Sequence, residues 1–204
     1  MPNEIEIKFR IDDLAALARA LKRAGFKQIT RSTHEMNSLY DRPGQKLRKR
    51  GEMLRLRQYG TKWTLTHKAK DKSGRHKKRV ELETAVDDGR QMDAILHVLG
   101  FKPTFRYEKY RAEWSDGKGH VVLDETPIGN FGEIEGKPRW IDRTARALGI
   151  SSKDYITDTY APMFFAWKRR TGSAATEMTF RALGKNSKRG APQRRRVRGE
   201  KSEE

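Results

Sequence analysis

The sequence predicts an α+β domain built on an antiparallel sheet, either open or closed into a barrel. Three observations lead there. Many short runs alternate charged and apolar residues, the signature of strands with two different faces. Turn signals such as YGTK, DKSG and SDGKG separate them at short spacing. A few amphipathic helical stretches intervene rather than alternating regularly with the strands, which argues against a parallel α/β sheet.

The first run, NEIEIKFRI, places Glu4, Glu6 and Lys8 on one face and Ile5, Ile7 and Phe9 on the other. Next, IDDLAALARALKRAGF reads as a helix. Asp12 or Asp13 serves its N-terminus, Leu14, Leu17, Ala18 and Leu21 form a stripe, and Gly25 closes it. Further strands are expected over 26–40, 52–59, 62–69, 77–84, 103–115, 118–125 and 130–136, making eight with the first. A second helix lies over DDGRQMDAILHVLGF, with Met92, Ile95, Leu96 and Leu99 on one side. A third begins at Pro138 and stops at Gly149, and TYAPMFFAWKRR packs as a terminal helix. The order of these elements also suggests two loosely related halves, each a strand, a helix and then strands.

The chain has 204 residues, 35% hydrophobic and 35% charged, enough for one domain with a real core. It has no Cys, which excludes disulfides and thiolate metal sites. No apolar run reaches the ~20 residues of a spanning helix, and MPNEIEIKF has neither a basic n-region nor an apolar h-region. A cytoplasmic protein with no membrane partner is expected, as a monomer or homodimer. The net charge is +18. From about Gly172 the chain is poor in apolar residues and rich in Lys, Arg, Gly and Ser, so the expectation is a domain over 1–170 and a disordered basic tail over 171–204. Such a tail suits weak contact with nucleic acid and equally a solvated extension.

The opening pattern recurs. RVELET puts Arg79, Glu81 and Glu83 in phase, and MLRLRQ does so for Arg55 and Arg57. KWTLTHK aligns Lys62, Thr64, Thr66 and Lys68, YEKYRAE aligns Lys109 and Arg111, HVVLDE carries Asp124, and FGEIEG carries Glu133 and Glu135. Solvated faces would tolerate any such mixture. The helices, however, must bury their stripes on something, and the apolar strand faces (Ile7, Phe9, Leu54, Leu56, Leu82, Ile134) are the available partners. If the sheet closes with helices outside, the charged faces line its interior. Buried charges need compensation. A polyanion held by the Lys and Arg, with a hard divalent cation such as Mg²⁺ or Mn²⁺ held by the carboxylates, supplies it.

Glu4-Ile5-Glu6-Ile7-Lys8 resembles the ExExK signature that opens the CYTH superfamily, the triphosphate tunnel metalloenzymes. The resemblance continues over roughly 4–167 through LRLR (54–57), THKAK (66–70), RVELE (79–83), EKYR (108–111), VLDETPIGNFGEIEG (122–136) and TDTY (157–160). It implies an eight-stranded antiparallel closed β-barrel, a tunnel with helices packed outside, that binds a small-molecule triphosphate with Mg²⁺ or Mn²⁺. Carried over, Glu4, Glu6, Asp124, Glu133 and Glu135 resemble the metal-binding carboxylates. Lys8, Arg55, Arg57, Lys68, Arg79, Lys109 and Arg111 resemble the phosphate clamp, with Lys8, Arg57 and Lys68 closest to the chemistry. Glu81 and Glu83 either join the acidic set or hold the clamp by ion pairing.

The implied activity is metal-dependent hydrolysis of inorganic or simple organic triphosphates. Class IV adenylate cyclases, the rival within the family, typically carry a His-Phe pair shortly before ExExK, whereas here Met1, Pro2 and Asn3 stand there. Animal thiamine-triphosphate hydrolases place a Trp just before the LRxR-like segment, a position taken here by Met53, while Trp63 is expected to pack outside. A non-catalytic polyphosphate- or RNA-binding module would explain the cations but not the carboxylate pairs. The five histidines (His34, His67, His76, His97, His120) form no metal-spaced pair, and no GxxxxGK[ST] loop occurs.

Overall fold

The computed structural model describes residues 3–70 and 77–185, with side chains over 5–70 and 80–185. Among the described residues there are eight strands: β1 (Asn3–Ile11), β2 (Lys27–Asp41), β3 (Met53–Tyr59), β4 (Lys62–Lys68), β5 (Lys77–Val86), β6 (Lys102–Ser115), β7 (His120–Thr126) and β8 (Gly129–Glu135). All pair antiparallel, in the neighbour order β1-β5-β4-β3-β2-β6-β7-β8. β1 meets β5 over Asn3–Glu6 and meets β8 over Glu6–Ile11. The architecture is thus an eight-stranded antiparallel α+β sheet with helices on its apolar side.

Among the described residues five α-helices accompany it: α1 (Leu14–Arg23), α2 (Lys46–Lys49), α3 (Gly89–Val98), α4 (Pro138–Ala147) and α5 (Tyr160–Thr171). Asp13 caps α1, its carboxylate accepting from the amides of Ala15 and Ala16 at 2.8 and 2.9 Å. Sequence periodicity does not announce α2, a single turn. The Asp41 carboxylate organises it by accepting from the Leu47 and Arg48 amides at 2.9 and 3.0 Å.

The alternation of the strands decides where the core lies. Ile7, Phe9, Val121, Leu123 and Ile134 pack on Leu21 of α1 and on Trp140, Ile141 and Ala145 of α4. Each such side chain contributes on the order of 1.5–3 kcal/mol when fully buried. Tyr40, Leu54, Leu56 and Trp63 receive Met92 and Leu96 of α3. Trp63 therefore packs outside the sheet, as expected. Leu82 departs from expectation: it is 51% exposed. α3 leans on β3 and β4 instead, so Ile95 and Leu99 of its stripe are also left exposed.

A third core joins Phe105, Tyr107 and Phe131 to α5 through Tyr160, Met163 and Phe164, and it includes Met178. This corrects the expected tail. Residues 173–185 include a segment that packs on the domain: Met178, Thr179 and Phe180 are buried. The Met178 amide donates to the Arg106 carbonyl and its carbonyl accepts from the Glu108 amide, both at 3.0 Å. The reason lies in β6, which registers with β7 only from Tyr110 onward and so offers an edge at Arg106–Glu108. Residues 186–204, the rest of the expected tail, lie outside the described residues.

Candidate functional site

Cross-strand register builds the site. Lys8 stands opposite Glu133, Lys68 opposite Glu81, Glu35 opposite Lys109 and Arg111 opposite Asp124. Opposite charges facing across antiparallel pairs stabilise the sheet, and like charges destabilise it. Glu6 breaks the pattern, because its partner across β1 and β8 is Glu135.

The inward phases enclose a cavity of about 480 Å³. β1 contributes Glu6 and Lys8, β3 contributes Arg55 and Arg57, β4 Lys68, β5 Glu81 and Glu83, β6 Lys109 and Arg111, and β8 Glu133 and Glu135. Six cationic side chains therefore meet five carboxylates in one space. Thr159, Tyr160 and Ala161 bring the start of α5 to the same cavity.

The ion pairs are short and specific. Lys8 Nζ lies 2.8 Å from Glu133 Oε1, and Lys68 Nζ lies 2.6 Å from Glu81 Oε2. Arg57 donates to Glu83 Oε1 at 3.1 Å and to Thr64 Oγ1 at 3.2 Å. Arg55 lies 3.6 Å from Glu83 Oε2, which also accepts from Thr66 Oγ1 at 2.7 Å. Glu81 and Glu83 thus pair with Lys68, Arg55 and Arg57 while also lining the cavity. Asp124 gathers more donors: Arg111 bidentately at 2.7 Å per bond, Lys109 Nζ at 2.8 Å and the Tyr160 hydroxyl at 2.6 Å. Arg111 also donates to Glu133. The Tyr160 ring lies under both ammonium groups, 4.7 Å from Lys8 Nζ and 4.9 Å from Lys109 Nζ.

These contacts keep the site ionised. Burial disfavours the Lys8 ammonium, yet Glu133, Glu6 and Asp124 outweigh it and raise its pKa. Burial likewise opposes the Glu133 carboxylate, but Arg111, Lys8 and Lys109 hold it well below the usual range. Arg111 is pushed up because Asp124, Glu133 and Glu35 overcome its burial. Tyr160 is pushed well up by burial and by Asp124 and Glu133, so it stays a hydroxyl donor.

Most residues singled out from the sequence come together here, with two qualifications. Glu4 and Arg79 are register partners across β1 and β5, but their side chains lie outside the described residues. Asp124 lies behind the cavity wall: it is fully buried, does not line the cavity, and its oxygens accept from Lys109, Arg111 and Tyr160. The sequence reading missed Glu35, Tyr107 and Tyr160. The phase of Glu35 and Asn37 with Thr33 and Asp41 in THEMNSLYD was available as a signal, but that strand's opposite face is too weakly apolar to fix which side points inward. Tyr160 reaches the site from a helix start, a placement that strand periodicity does not register.

An eight-stranded antiparallel α+β sheet with a mixed-charge interior cavity is the class that fold and site define. The CYTH domain family model matches residues 2–160. The chain belongs to that family. It is 29% identical over 168 residues to a Methanocaldococcus jannaschii protein named as a "putative adenylate cyclase", a match covering 77% of this chain and 95% of the relative. Its fold is shared with a "putative adenylate cyclase" from Vibrio parahaemolyticus at TM-score 0.71 and 19% identity, covering 79% of this chain and 97% of that one. It is also shared with a Hippeastrum "putative adenylyl cyclase" described as having a dominant triphosphatase activity. That match has TM-score 0.60 and 18% identity, covering 81% of this chain and 96% of the other.

Proposed function

We propose that this protein is a metal-dependent hydrolase of inorganic or simple organic triphosphates, working inside the sheet as a closed tunnel. The observation that carries the reading is the cavity in which Lys8, Arg55, Arg57, Lys68, Lys109 and Arg111 converge from four strands. A linear triphosphate presents several anionic oxygens in a row, and convergent cations from different strands can engage them together.

The carboxylates are consistent with a hard cation. Glu6 and Glu135 face each other across β1 and β8 and both line the cavity, so a divalent ion between them would relieve like-charge repulsion. The donors are all oxygen, as Mg²⁺ and Mn²⁺ prefer. Among the described residues no group of three or more His, Asp or Glu side chains is arranged to hold a metal ion. Glu6 and Glu135 are the residues proposed to hold it, with Glu4 of the same strand phase completing the set. When bound, the metal supplies Lewis-acid polarisation of a phosphoryl oxygen and of water.

The chain's own residues do the rest. Lys8, Arg57 and Lys68 stabilise charge that develops on the transferring phosphoryl group, and Arg55, Lys109 and Arg111 grip the remaining phosphates. Each is already held by a carboxylate or a hydroxyl before substrate arrives, so little reorganisation is required. Phosphate release from inorganic triphosphate, ATP and thiamine triphosphate, with Mg²⁺, Mn²⁺ or chelator and with cyclic AMP assayed in parallel, tests the reading. Metal-dependent phosphate release, lost on chelation, is expected. Cyclic AMP with pyrophosphate would instead make the protein a cyclase, and chelator-insensitive polyphosphate binding without turnover would make it a capture module.

A further inference from the structure

Glu35 lies outside every role assigned so far. It sits on β2 facing inward and is fully buried, and it does not line the cavity. Its Oε1 accepts from Asn37 Nδ2 at 2.9 Å and lies 3.4 Å from Lys109 Nζ. Its Oε2 makes no hydrogen bond, and Arg111 Nε lies 3.9 Å away. A carboxylate in this position is costly as a structural element. An apolar residue of similar volume would spare the protein a buried charge and an unsatisfied oxygen.

What the carboxylate does is hold cations from the side opposite Asp124. Lys109 is only 2% exposed, with Asp124 at 2.8 Å and Glu35 at 3.4 Å. Asp124 is crowded by Arg111 and the Tyr160 hydroxyl. Without Glu35, the Lys109 ammonium would be drawn wholly toward Asp124, away from β2. With it, the ammonium is balanced between two fixed anions and presented to the cavity. We propose that Glu35 is a positioning residue, which acts through Lys109 and more weakly through Arg111 to fix the cations that meet the phosphate chain. The inference rests on the triphosphate reading of the cavity.

Glu35→Gln tests it, because the amide keeps the volume and can still accept from Asn37 while the charge is gone. With inorganic triphosphate and Mg²⁺, kcat/KM should fall roughly 10- to 100-fold, as for other residues that orient a contacting group, and mainly through a higher KM, because Lys109 and Arg111 grip phosphates other than the one transferred. Glu35→Asp, which keeps the charge, should recover part of the loss. In a Lys109→Met background, Glu35→Gln should have a much smaller effect, the remainder passing through Arg111. An unchanged kcat/KM, or a loss that adds in full to that of Lys109→Met, overturns the proposal. If Glu35→Gln does not fold, Glu35→Asp, which shifts the carboxylate, takes its corner of the cycle with Lys109→Met and reads the coupling. If the wild-type protein turns over no triphosphate, the hydrolase reading fails on its own. Calorimetric binding of inorganic triphosphate then decides Glu35: non-additive effects of the two substitutions support the inference and additive ones sink it.

Discussion

Arg57 and Glu35 show what single residues contribute. Arg57 is half-buried on β3, fastened by Glu83 and Thr64 with its guanidinium toward the cavity. Arg57→Ala should lower turnover by on the order of 10²–10³, or about 2.7–4 kcal/mol of transition-state stabilisation. Its melting temperature should move little, which steady-state kinetics beside thermal melts will check. Glu35 sets an acid limit on stability. Burial would raise its pKa, but Lys109, Arg111, Arg55 and Arg57 bring it from 4.5 down to about 2. A carboxylate depressed by folding stabilises above its unfolded pKa and loses that contribution as pH falls through the folded value. Melting temperature should therefore fall between about pH 4.5 and pH 2, Glu35 contributing up to about 3 kcal/mol of the loss. Glu133 falls in the same direction, so Glu35→Gln should flatten the limb only in part.

At the scale of elements, the helices and strands were legible where periodicity was clean. Asp13, Pro138 and the stripe Leu14, Leu17, Ala18, Leu21 mark α1 and α4 because local capping and one-sided burial decide them. The segment after α5 was not legible. Met178 and Phe180 are two apolar residues in a polar stretch, and only the edge of β6 makes them worth burying. Truncation after Lys185 should leave the melting temperature nearly unchanged, whereas truncation after Gly172 should lower it. Met178→Ala alone should cost about 2–5 kcal/mol, the range for a buried Met cut to Ala, measurable by denaturant titration. β8 carries a similar constraint, since a Cβ on Gly132 would lie 2.1 Å from the Phe9 ring. Gly132→Ala should lower stability by about 1–3 kcal/mol through overpacking.

For the molecule as a whole, exchanging the two halves leaves the strand neighbour order unchanged, with β1 matching β5, β2 matching β6, β3 matching β7 and β4 matching β8. α1 and α3 fall at corresponding places, so the repetition suspected in the sequence is present in the topology. Charge also acts at this scale. Seven of the Lys and Arg residues lie beyond residue 185 with three Glu, so most of the net +18 belongs to the preceding chain. That field should raise anion capture rates and weaken with salt. kcat/KM for inorganic triphosphate should fall as ionic strength rises while kcat holds, and removing residues 186–204 should keep most of that dependence.

Most strand phases, the four long helices and most of the interior charges followed from the sequence alone, β2 and its Glu35 excepted, because alternation and capping depend on neighbours a few residues apart. Tertiary structure decided which charges face one another. Register across β2 and β6 sets Glu35 against Lys109, and register across β6 and β7 sets Asp124 against Arg111, with Lys109 also bonded to it. The turn into α5 delivers Tyr160 to the same cluster. Such partners lie tens of residues apart along the chain. Coulombic and hydrogen-bond energies depend on separation in space, and no local pattern encodes that separation.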